Sequence, residues 1–130
     1  MTNIFNNDGN ILPNIDVDSI TEIEIPDWMT DVPDLHVFKN LTSVIIPDSI
    51  TEIKDNAFAN FKNLSHIKLP KNLISIGEMA FYRCVALTKI EMPDSVTEIE
   101  PFAFNACKSL THIQLSKNLI SIGEEAFADC

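Results

Sequence analysis

Apolar residues in this chain recur in a fixed phase. A representative stretch is Leu64-Ser65-His66-Ile67-Lys68-Leu69-Pro70, in which Ile67 and Leu69 alternate with polar neighbours. This alternation predicts a short strand with Leu64, Ile67 and Leu69 facing inward. Proline closes the strand at its end, where no central ladder bond is lost. A second extended piece follows, as in Ile50-Thr51-Glu52-Ile53 and Leu73-Ile74-Ser75-Ile76, with its outer residues inward. Next, Ala57, Phe58 and Phe61 fall at i, i+1 and i+4, a spacing that puts all three on one side of one or two helical turns. Asp55 is placed to cap the first of these turns. Glu78 and Glu124 sit where a carboxylate favours a helix start, and Pro101 suits a first helical position.

The whole pattern repeats every 23 residues: Pro47, Pro70 and Pro93 are evenly spaced and Ser116 takes the next slot. Units 41–63, 64–86 and 87–109 align without gaps, and 110–130 is a further unit lacking its last two residues. An earlier unit, 20–40, is degenerate. Its Ile23, Ile25, Pro26 and Asp27 match Val44, Ile46, Pro47 and Asp48, but two residues are missing before Phe38, as expected of a capping repeat. Residues 1–19, rich in Asn and Asp with Gly9 and Pro13, read as a loop-like cover on the first apolar layer. Repeats of this size bury a core only by stacking. The predicted fold is a right-handed curved α/β solenoid of about five 23-residue units, built from short strands and short helical turns.

A longer period overlies the first. The octapeptide at 71–78 recurs identically at 117–124, and 47–53 matches 93–99 at six of seven positions, as though a block of 46 residues had been duplicated. Surface residues then recur in every second layer, about 10 Å apart at strand spacing.

Ala-Phe followed by Cys occurs in phase at Ala80-Phe81 with Cys84, Ala103-Phe104 with Cys107 and Ala126-Phe127 with Cys130, while Ala57-Phe58 has Phe61 in the Cys slot. With the LxxIxxP and IxxI segments before it, this resembles the BspA-type, or treponemal, leucine-rich repeat over residues 20–130. The resemblance implies a curved solenoid, common in surface-exposed or secreted proteins of host-associated bacteria and protists, with adhesion and protein binding as the usual roles. No signal peptide is visible in the sequence, so a cytoplasmic location is equally compatible with it.

Charge separates the two ends. The net charge is −10, yet the first 38 residues hold no Lys or Arg and eight acids: Asp8, Asp16, Asp18, Glu22, Glu24, Asp27, Asp31 and Asp34. From Lys39 onward, eleven acids nearly balance nine bases. Nucleic acid and anionic lipid are therefore poor partners, and no apolar run is long enough to insert in a membrane. The acidic end reads either as a solvated cap or as a docking patch for a basic partner.

Catalytic and metal chemistry find little support. The three cysteines occupy equivalent slots of successive layers rather than a CxxC clip, which favours small buried thiols. His66 and His112 share a strand position two layers apart, too far for a shared metal without other ligands. No phosphate loop, HExxH helix or GxSxG elbow appears. The expectation is a non-enzymatic module with no cofactor and no metal, working on a protein partner.

Two surfaces are candidates. If the first strand lines the concave face, its outward residues form two columns: Glu22, Ser43, His66, Lys89 and His112, beside Glu24, Ile45, Lys68, Glu91 and Gln114. Rigid strands presenting such columns can recognise an extended polypeptide by matching charge. The alternative is self-association, including a homodimer, through the last layer, where Leu110, Ile113, Leu115, Leu119, Ile122, Phe127 and Cys130 have no following repeat above them; the same open layer also fits an excerpt of a longer array, or exposure that is tolerated.

Overall fold

The computed structural model describes residues 3–130, so Met1 and Thr2 of the N-terminal cover lie outside the described residues. A single 3₁₀ turn, Val17–Ser19, precedes nine short strands: β1 (Glu22–Glu24), β2 (Ser43–Ile45), β3 (Glu52–Ile53), β4 (His66–Lys68), β5 (Ser75–Ile76), β6 (Lys89–Glu91), β7 (Glu98–Ile99), β8 (His112–Gln114) and β9 (Ser121–Ile122). All pair in parallel with the equivalent strand of a neighbouring layer. β1, β2, β4, β6 and β8 occupy one face, and β3, β5, β7 and β9 form a continuous sheet on a second.

Register follows the repeat. Ser43 pairs with His66, Glu52 with Ser75 and Lys89 with His112, each 23 residues on, whereas Glu22 pairs with Ser43 across the shortened unit. On the first face the ladder is interrupted: β1-β2-β4 and β6-β8 are separate sheets, with no ladder pairing between β4 and β6.

The expected helical turns do not form, and no α-helix occurs among the described residues. Asn56, Phe58 and Asn60 instead donate their N–H groups along the stack to the carbonyls of Glu78, Ala80 and Tyr82, at 3.0, 2.7 and 2.7 Å. The residues between them, Ala57, Ala59 and Phe61, close tight turns by donating three positions back. Two residues per layer enable this alternation by taking left-handed φ: Asn56 and Asn60, Met79 and Arg83, Phe102 and Ala106, Glu125 and Asp129. A right-handed helix cannot run through such residues. The chain is thus a β-solenoid rather than an α/β stack. It makes about four turns rather than five, because residues 20–40 contribute β1 but no strand to the second face.

Residues expected at helix starts serve other ends. The Asp55 carboxylate accepts the Glu78 N–H of the next layer at 2.8 Å. The Glu78, Pro101 and Glu124 carbonyls accept from Asn56, Met79 and Phe102 of the layer before.

Inside the stack, Phe58, Phe81, Phe104 and Phe127 form a column with ring centroids 5.2, 5.1 and 5.2 Å apart and planes within 10°. Burying each fully covered ring contributes roughly 1.5–3 kcal/mol. The cysteines beside this column play a local role. The thiols of Cys84 and Cys107 each donate 3.1 Å to the carbonyl of a phenylalanine in the preceding layer, Phe58 and Phe81, and Cys130 does the same to Phe104 at 3.2 Å. Cys84 and Cys107 are buried free thiols, while Cys130 is exposed. Desolvation pushes the Cys107 thiol up to about 12 and raises Cys84 as well.

The 46-residue alternation also shows in the bonds between layers. Asp48 and Asp94 each accept the backbone N–H of the lysine in the next layer, Lys71 and Lys117, at 2.9 Å. Acid and base therefore alternate at this corner. At the N-terminal end, Ile4 and Phe5 are buried in the core, and Phe5 bridges Ile11 in antiparallel fashion.

Gly77 sits so close to the layer below that an added Cβ would lie 2.7 Å from the Asp55 nitrogen and the Ile53 oxygen. Gly77→Ala is expected to cost about 1–3 kcal/mol in urea denaturation, because backbone cannot yield as a side-chain tip would. In native protein, iodoacetamide should modify Cys130 quickly, and Cys84 and Cys107 only after unfolding, as read by intact mass. Since burial raises the folded thiols above their ordinary 9.0, their protection is complete below pH 9 and is lost as pH rises toward 12. Stability should fall across that window by denaturation, less steeply in Cys107→Ala.

Candidate binding surfaces

In β1, β4 and β6 the central residue is buried and its two neighbours are exposed, so alternation delivers both columns to solvent. Register sets Glu22, Ser43 and His66 side by side, then Lys89 beside His112; the second column runs Glu24, Ile45, Lys68, then Glu91 beside Gln114. Ser43 and Ile45 are half-buried. The gap in the ladder falls between Lys68 and Glu91, dividing the face into an N-terminal and a C-terminal half.

The charges differ in availability. Lys89 lies 2.5 Å from Glu91, and this hydrogen bond holds the Glu91 carboxyl below the usual range. Lys68 has no ion-pair partner among the described residues, which leaves it the free cation of the face. At the N-terminal end, a depression of about 270 Å³ is lined by Ile45, Ile25 and Pro47 with Glu24 and Asp27 at its sides. Ile45, the one apolar member of the columns, is therefore part of an acid-flanked hollow.

The last layer is open in part. Ile113, Leu115 and Ile122 are 37%, 43% and 50% exposed, whereas their equivalents one layer earlier, Ile90, Met92 and Ile99, are buried. Leu119 and Phe127 are half-buried, and Cys130 is exposed. Leu110 departs from the expectation. It is 6% exposed and belongs to the packed core.

Two features escaped the sequence reading. Ile74 and Ile120 point outward on the second face, 49% and 82% exposed. A shallow depression of about 640 Å³ also passes over Gly77, with Glu52, Glu78, Glu98 and Glu100 on its rim beside Lys54 and Asp55. The alternation of Lys54, Gly77, Glu100 and Gly123 in one slot was the available signal.

With this geometry in view, residues 35–130 match the BspA type leucine rich repeat region in six copies. No curated protein matches the chain. Among solved structures, it is 28% identical to a leucine rich cell surface protein from Faecalibacterium prausnitzii, with a TM-score of 0.80 over 85% of this chain and 30% of that one. A leucine-rich repeat protein from Bacteroides ovatus is 26% identical with a TM-score of 0.74, over 86% of this chain and 35% of that one. The T. pallidum leucine rich repeat protein is 31% identical with a TM-score of 0.70, over 85% of this chain and 49% of that one. The chain thus spans from under a third to about half the length of these relatives, and its repeat match together with its four-turn parallel stack makes it a member of the BspA-type leucine-rich repeat family.

Proposed function

We propose that the chain is a non-enzymatic interaction module whose strand face holds an extended segment of another protein. The observation that carries this reading is the pair of exposed side-chain columns set on a backbone ladder whose alternate residues are buried. A surface of this kind is preorganised, so binding a partner costs little ordering of the scaffold. Charge distribution along the columns supports a polarity for that segment. A basic flank would meet Glu22, Glu24 and Asp27, an apolar side chain would enter the hollow at Ile45, and an acidic residue would face Lys68. The similarity to a protein described as a leucine rich cell surface protein supports a setting at a cell surface, where such a module would serve adhesion.

Peptides selected from a random display library on the immobilised chain test this reading by fluorescence anisotropy. Lys68→Glu combined with Lys89→Glu should weaken the selected peptides about tenfold or more. Undiminished affinity would move the site off the columns.

A second reading rests on the exposure of Ile113 and Leu115 at the end of the first face and of Ile122 at the end of the second, open sheet edges of the kind that pair with another chain. On that reading two copies associate through the last layer. Light scattering after size exclusion should then show a concentration-dependent dimer that persists in reductant and becomes monomeric in Ile113→Glu with Leu115→Glu. A wild-type monomer at high concentration would rule this reading out.

A further inference from the structure

Away from both surfaces, one edge of this acidic chain is basic. It lies where each layer of turns leads into the next strand. Lys39, Lys62 and Lys108 occupy one slot of the repeat, which Val85 fills in the layer between Lys62 and Lys108. There Arg83, two positions earlier, restores the charge. The result is one exposed cation per layer over four successive layers, spanning about 15 Å at the strand spacing of ~5 Å. None of the four has an ion-pair partner among the described residues, although most of the chain's charge is negative.

These cations line a continuous groove. One depression holds Lys39, Asn60 and Lys62; the next, about 250 Å³, shares Asn60 and Lys62 and adds Arg83, Val85, Ala106 and Lys108. A third continues from Arg83, Ala106 and Lys108 to Asp129, the acid at the far end. Its middle is floored by the small apolar side chains of Val85 and Ala106, and the Asn60 amide offers both a donor and an acceptor.

We propose that this edge is a second docking site, for an extended acidic polypeptide segment that carries an apolar residue between its carboxylates. Four cations spread over about 15 Å face about five residues of an extended chain, which rises about 3.3 Å per residue, so long Lys and Arg side chains can reach carboxylates along it. Val85 and Ala106 take the apolar side chain, and Asn60 can bond a peptide group. A sulfated sugar or single-stranded nucleic acid fits less well. Single strands are held largely by stacking on aromatic faces, and Tyr82 of this groove already has the Arg83 guanidinium 5.7 Å over its ring, while a sulfated sugar, held by its charges, has no apolar group for Val85 and Ala106. The net charge of −10 does not prevent local attraction, because screening confines the field of distant acids to about 8 Å at physiological salt.

The test uses the whole chain and a fluorescein-labelled peptide of about eight residues, Glu-rich with a central Leu, long enough to span the groove. Anisotropy should show binding that weakens as salt is raised. It should fall about tenfold or more in Lys62→Glu with Arg83→Glu, and change less than about twofold in Lys117→Glu, which lies outside the groove. Because all these positions are exposed, circular dichroism should report unchanged folds. Four results would overturn the proposal: no binding at low salt; equal loss in Lys117→Glu; loss in Lys68→Glu, which would put the peptide on the strand face; or tighter binding of a heparin fragment or oligo-dT than of the peptide. Salt-sensitive self-association abolished by the same double variant would also overturn it, by making a second copy the occupant.

Discussion

Each layer hands its backbone N–H groups along the stack at three places, and most other features of the molecule follow from that geometry. Two of the places are parallel strand ladders. The third is the run of turns in which alternate residues donate to the next layer. Because strands of two or three residues leave few other partners for their peptide groups, the stack is stable only as a whole. The inter-layer distance then fixes the 5.1–5.2 Å spacing of the phenylalanine column and the reach of each thiol to a carbonyl.

The same geometry explains why function on this scaffold is a matter of surfaces. Inward slots are committed to packing, and the interior is filled by Phe, Leu and Ile side chains. Variation is confined to outward slots, where one substitution per layer writes a column. The columns differ by face: mixed on the first strand face, acidic around Gly77, basic along the turn edge. One scaffold thus presents differently charged columns on different faces.

Much of this was legible in the sequence. The 23-residue period, the inward residues of both strands and the Ala-Phe-Cys element each correspond to a layer feature. The turns were misread because Ala57, Phe58 and Phe61 satisfy the helical spacing equally well in a chain of turns. Asn56, Asn60 and Asp129 are residue types that tolerate left-handed φ, but Met79, Phe102, Ala106 and Glu125 carry no such mark. The basic edge was hidden for a different reason. Reading slot by slot, Val85 breaks the lysine column, and only the fold shows that Arg83 lies beside the vacancy. Likewise, nothing in the spacing indicated that the strand face loses its ladder between β4 and β6.

Asp48 and Asp94 each accept a backbone N–H from the lysine of the next layer, so Asp and Lys layers alternate from 41 to 130 as two couples. Removing unit 64–86 would set Asp48 against Asp94 at this corner, and removing unit 87–109 would set Lys71 against Lys117, with like charges about one strand spacing apart. Removing or adding a couple preserves the sequence of acid and base. An array with this chemistry can therefore lengthen or shorten by gene duplication at least cost in steps of 46 residues. Turns added in pairs would also keep the phase of whatever the outer columns present.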